Sequence, residues 1–144
     1  MMPPSPPRSL RVAGLAAFWG LVLGLTGRLA MRFVALEAGM SPGFSTGGSL
    51  EVIGFGTLVG APIAAAFFFL RPRIRVQGPW PGLFIGLLMF AAFALLQPPS
   101  ARSALSATTD TPAATAALFG GVLAAWGLGL EVLHRRYLAR LSAG

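Results

Sequence analysis

Cysteine and lysine are absent from the chain, histidine occurs once, at His134, and only four acids are present: Glu37, Glu51, Asp110 and Glu131. The lack of cysteine excludes disulfides, thiolate metal sites, cysteine nucleophiles and iron–sulfur ligation. With one histidine and no thiol, no metal site is expected. Charged residues make up 10% of the chain, against about 25% in an ordinary soluble domain. What is plentiful is apolar: 55% of the 144 residues are hydrophobic and the mean hydropathy is +0.74. A soluble domain of this size cannot hide that much apolar surface in one core. The apolar residues also arrive in long runs, which points to lipid as the solvent.

The formal net charge is +7, with a pI near 11.9. All the basic residues are arginine, and most sit at the ends of apolar runs. No segment interleaves a basic stripe with aromatics, so no nucleic-acid partner is expected and the charge reads as membrane topology.

Residues 1–10, with Pro3, Pro4, Pro6 and Pro7, form a disordered proline-rich tail that cannot extend a helix backwards. Residues 11–137 are predicted to be a transmembrane bundle with spans at about 11–36, 50–70, 80–97 and 111–134. Residues 138–144 form a second tail. Pro62 falls inside the second span and is expected to kink it. Asp110 or Thr111 caps the last helix, with Pro112 in its first turn. The first run has the basic lead of a signal peptide. It is slightly long for one and no small-x-small cleavage site follows, so it reads as a span.

Orientation follows from arginine placement. Arg8 and Arg11, then Arg71, Arg73 and Arg75, then Arg135, Arg136 and Arg140 all fall on one side of such a bundle, and the two opposite loops carry only Arg102. Both termini are therefore predicted to be cytoplasmic, with loops 39–48 and 97–110 outside.

Lipid supplies no hydrophobic drive between helices, so small residues must mediate close packing. Gly20 and Gly24, Gly56 and Gly60, and Gly82 and Gly86 are each four apart, and the last helix carries Ala113, Ala117, Gly121, Ala125 and Gly129 at the same stride. Trp19 and Trp126 fall deep in their spans, where helix packing explains them. Trp80 and His134 fall at headgroup level.

Arg28 and Arg32 are the informative pair. Arg28 lies about 25 Å along the helix from Arg11, which puts it in the outer leaflet of a hydrocarbon layer about 30 Å thick. An arginine within a span usually has a partner. Three readings are open: a clamp to Glu37 or Glu51, snorkelling to lipid phosphates, or an anion site. Glu131 stands four residues before Arg135, a favourable helical pair.

Catalytic groups are scarce. No two acids have the spacing of paired carboxylates, and His134 and Asp110 fall at opposite membrane faces, so no Ser/His/Asp set forms. Gly54-Phe55-Gly56 lies within a span rather than between a strand and a helix, which excludes a phosphate cradle. No enzymatic activity and no cofactor are expected.

Gly27-Arg28-Leu29-Ala30-Met31-Arg32, followed by a glycine-rich loop and Gly47-Gly48-Ser49-Leu50, resembles the first half of small uncharacterised bacterial four-helix membrane proteins. The resemblance covers about a third of the chain. It implies a four-span fold and no activity. The same region also resembles the small fluoride channels, but Ile53 stands where they carry a pore asparagine, and residues 82–96 contain no Ser, Thr or Asn. Fluoride transport is therefore not implied. Arginine used to the exclusion of lysine points to a high-GC bacterium, hence a bacterial cytoplasmic (inner) membrane.

The sequence thus predicts an all-α integral membrane bundle of four helices. Its expected role is structural or accessory, through contacts with lipids, with further copies of itself or with a larger membrane complex. The alternative is a small anion transporter or channel using Arg28 and Arg32.

Overall fold

A computed structural model of the chain describes residues 8–37, 39, 46–96 and 112–142. Among these residues there are four α-helices and no strand: α1 (Arg8–Glu37), α2 (Thr46–Leu70), α3 (Trp80–Leu96) and α4 (Pro112–Ser142). A single 3-10 turn, Arg71–Arg73, follows α2. The capping residues expected at 110 and 111, the loop 97–110 and most of the first tail lie outside the described residues.

The helices are longer than their apolar runs. α1 starts at Arg8, immediately after the last proline of the tail. It stops where Gly39 takes a left-handed φ of 66° and donates its N–H to the Leu36 carbonyl at 3.1 Å, a glycine ending that satisfies a late carbonyl. α2 takes in Gly47 and Gly48, which the sequence places in the preceding loop, and it continues through Pro62. α4 continues to Ser142, through residues expected to form a tail. Gly78, with φ 92°, turns the chain into α3.

α1, α2 and α4 are long and apolar enough to cross a bilayer. α3 is equally apolar but has 17 residues, about 25 Å of helix against about 30 Å of hydrocarbon.

The helices pack as two antiparallel pairs. In the first, Gly20 and Gly24 of α1 lie against Gly60, Gly56 and the Ile53–Ala61 backbone of α2. A Cβ on Gly24 would stand 2.5 Å from the Ile53 carbonyl oxygen, and one on Gly60 would stand 3.0 Å from Gly20 Cα. In the second pair, Gly82 and Gly86 of α3 meet Gly127 and the Leu123 backbone of α4. Backbone-on-backbone approach of this kind is how helices gain contact where water exclusion cannot drive them together.

The expected stride on α4 does not mark that contact. A Cβ on Gly121 would meet nothing within 4 Å, Ala113, Ala117 and Ala125 are exposed, and Gly129 faces the Trp19 ring of α1 instead of α3. A stride of four overshoots a 3.6-residue turn by about 40° per step, so the row leaves the α3 face. Gly127, outside that row, makes the close approach.

The pairs join along α1 and α4. Trp19 Nε1 donates to the Trp126 carbonyl at 3.1 Å, and Trp126 Nε1 donates to the Trp19 carbonyl at 2.9 Å. Each tryptophan precedes a glycine, Gly20 or Gly127, that seats its own helix against its pair partner. Val12, Ala16 and Leu23 of α1, Leu123 and Leu130 of α4, and Ala64, Phe67 and Phe68 of α2 fill the core between them. The outer surface is apolar: Leu58 is 73% exposed, Phe84 69% and Leu96 83%.

Candidate functional site

Two polar clusters sit at opposite ends of the bundle. At the end formed by the C-terminal half of α1 and the start of α2, Arg28 Nε donates to Ser49 Oγ at 3.2 Å. Ser49 is buried, while Glu37 and Glu51 are exposed, and no ion pair joins Arg28 to either among the described residues. Helical geometry explains the choice. Ser49 and Glu51 are two residues apart, about 200° around α2, so the register that turns Ser49 toward α1 turns Glu51 away. Glu37 lies nine residues beyond Arg28, about 13 Å further along the axis. The clamp expected between arginine and glutamate is replaced at Arg28 by one between arginine and serine. Arg32, one turn on, is exposed.

The second cluster is the denser one. Glu131 of α4 is 2% exposed, deeper than any other acid among the described residues. Arg71, the first residue of the turn after α2, grips it with one edge of its guanidinium: Nε to Oε2 at 2.6 Å and Nη2 to Oε1 at 2.7 Å. Its remaining nitrogen, Nη1, donates to the Ile74 carbonyl at 3.0 Å. Arg135 adds Nε to Oε1 at 2.9 Å. Gly82 belongs to this arrangement as well, since a Cβ there would stand 2.9 Å from Glu131 Cβ. The missing side chain lets α3 close over the carboxylate.

One turn along α4, His134 is 4% exposed, with its ring 6.3 Å from Phe67 and 5.7 Å from Phe68. Tyr137 packs edge-on against Phe68. Its hydroxyl is buried and has no hydrogen-bond partner among the described residues. His134, expected at headgroup level, is enclosed between helices at the same end of the bundle as Arg71 and Arg135. The imidazole faces α2, because its place on the same side of α4 as Leu130 and Glu131 carries it into the interhelical core. Trp80, by contrast, is 64% exposed at the start of α3.

Sequence spacing gives the Glu131–Arg135 pair but not Arg71, which is 60 residues away. The available signal was topological. An acid at the end of one apolar run and an arginine at the end of another fall at the same membrane face once the helices are threaded.

Chemically the cluster is a clamp. Three N–H donors occupy the two oxygens of Glu131, and all three nitrogens of Arg71 are engaged. A bidentate arginine–carboxylate pair combines two parallel charge-assisted bonds with a fixed geometry. Such a carboxylate is poorly placed to take up a proton or a metal. Among the described residues no three His, Cys, Asp or Glu side chains gather as a metal site.

No protein-family model, curated protein or solved structure matches the chain.

Proposed function

We propose that the chain is a multi-pass protein of a bacterial cytoplasmic membrane, with four spans and both termini cytoplasmic. We assign it a structural or accessory role, exerted through helix contacts with its own copies or with a larger membrane complex. The observation that carries this reading is how its polar and apolar groups are divided. Glycine-lined faces bring the helices together in pairs, large apolar side chains such as Leu58, Phe84 and Leu96 are exposed, and Arg28, Arg71 and Glu131 are engaged by partners within the chain. Thr26 and Thr57, which lie in the middle of α1 and α2, donate to the Val22 and Ile53 carbonyls of their own helices at 2.8 and 2.7 Å. A transport path needs polar groups offered at several depths; here they are turned back onto the backbone. Saturation of Glu131 likewise argues against catalysis. α3 rests mainly on α4 and exposes Phe84, Leu87, Leu88, Leu95 and Leu96, an apolar face suited to lipid or to a neighbouring helix.

One observation favours the alternative of anion transport: Arg28 engages Ser49 through Nε alone. The deciding experiment is the mass and composition of the complex extracted from its native membrane in mild detergent. Proteins recovered at a fixed ratio are the expected result. A bare homo-oligomer that passes anions into liposomes, and stops doing so with Arg28→Gln and Arg32→Gln, would replace the accessory reading with transport.

A further inference from the structure

The connection between α2 and α3 carries a feature that the helix contacts do not use. It reads Arg71-Pro72-Arg73-Ile74-Arg75-Val76, basic and apolar residues in near alternation, with no acid before Trp80. Arg71 is turned inward onto Glu131, but everything after it faces out: Arg73 and Arg75 are exposed, as are Ile74 at 40% and Val76 at 54%. Ile74 is extended and the segment up to Gln77 forms no helix. Arg73 closes the 3-10 turn, and Ile74, Arg75 and Val76 then follow outside any helix, so arginine and aliphatic side chains are exposed next to one another along this stretch. The exposed Trp80 ring follows, and the exposed Phe69 and Leu70 precede.

Arg135 lies at the same end. It binds the same carboxylate as Arg71 through Nε, and its side chain is 53% exposed. Arg136 beside it is exposed. Two guanidinium groups on one carboxylate leave the Arg71–Glu131–Arg135 cluster with a net positive charge. Burying Glu131 therefore fixes an uncompensated arginine at the rim of the bundle.

We propose that this end of the molecule is a binding surface for the phosphate groups of anionic phospholipids, formed by Arg73, Arg75, Arg135 and Arg136 with Ile74, Val76 and Trp80 as its apolar border. Guanidinium groups match phosphate oxygens bidentately, and an aromatic ring beside them suits the headgroup layer. The apolar border selects a lipid over a free anion. Side chains that enter the acyl boundary hold the arginines at phosphate depth, and the arginines are exposed rather than enclosed as a site for a small anion would be. The inference rests on the membrane reading above, not on the accessory role.

The test uses the full chain in phosphatidylcholine nanodiscs, with spin-labelled phosphatidylglycerol and spin-labelled phosphatidylcholine compared for the motionally restricted fraction. The unaltered chain is expected to prefer phosphatidylglycerol about fivefold, the worth of one arginine at an anionic surface. Arg73→Gln/Arg75→Gln, which leaves both ion pairs of Glu131 in place, is expected to lose most of that preference. Arg135→Gln is expected to lose part of it, with its melting temperature recorded to separate binding from folding. Equal association of the two lipids, or a preference that the double variant retains, overturns the proposal. So does a preference abolished by inorganic phosphate at matched ionic strength, which identifies a free-anion site. A chain that will not enter the nanodisc overturns the membrane reading itself; one that enters and shows no preference overturns this inference alone.

Discussion

Glu131 carries more of the fold than its neighbours in sequence suggest, because it is touched by the turn after α2, by the start of α3 and by its own helix. Breaking a buried ion pair from one side leaves the other charge stranded, at a cost of about 3–5 kcal/mol, whereas replacing both partners by apolar residues of similar size can be neutral. Glu131→Gln is therefore expected to destabilise the protein by about 3 kcal/mol in a denaturation series in mild detergent. Arg71→Met/Glu131→Met is expected to recover most of that loss. A double variant as weak as the single one would mean that the cluster contributes something other than charge pairing. Half of this site was legible beforehand: the i, i+4 spacing gives Arg135, but no local rule reaches Arg71. Arg28 shows the opposite failure. The need for a partner was legible, yet Glu37 lies too far along α1 and Glu51 on the wrong face of α2, and the buried hydroxyl of Ser49 is chosen by helix register.

At the scale of the element, the three glycine pairs on α1, α2 and α3 that stand four apart in the sequence are those at the interhelical contacts, because a single step of four stays close to one face. The longer row on α4 leaves the α3 face because its drift accumulates over five members: Gly129 meets Trp19 of α1, and Gly121 meets nothing within 4 Å. Gly127 was hidden for a different reason: its partner across the contact is Gly82 and the Gly86 backbone, a relation that needs a second helix to be seen. Substitution separates the two kinds of position. Gly82→Leu and Gly127→Leu are expected to push α3 off α4 and destabilise the protein by at least the 1–3 kcal/mol typical of overpacking, about the same for each. Gly121→Leu, facing open space, is expected to change stability by less than about 0.5 kcal/mol, or to raise it slightly through better helix propensity. Thermal unfolding of the three variants in one detergent is the measurement. Equal losses for Gly121→Leu and Gly127→Leu would place the α4 contact back on the stride-of-four row.

For the whole molecule, the open quantity is parity. An all-α bundle with three helices long enough to cross a bilayer was legible from run length alone, since apolar runs need only be counted. Whether α3 makes a fourth crossing depends on its 17 residues matching the local hydrocarbon thickness, and a short helix can meet the mismatch by thinning the bilayer. The seating of Gly82 and Gly86 on α4 favours a crossing, because it holds α3 antiparallel to a helix long enough to span. Four crossings put the two termini on one side, and three put them on opposite sides, so the position of the C-terminus relative to the N-terminus counts the spans. The absence of cysteine makes the measurement clean. Single variants Ser5→Cys, Ser41→Cys, Ser103→Cys and Ala143→Cys, probed in intact cells with a membrane-impermeant maleimide, are expected to label at positions 41 and 103 and to be protected at 5 and 143. Protection at 5 with labelling at 143 would mean three crossings, which would put Glu131 on the opposite membrane face from Arg71 and so overturn the pairing of the α2 and α4 ends along with the fourth span.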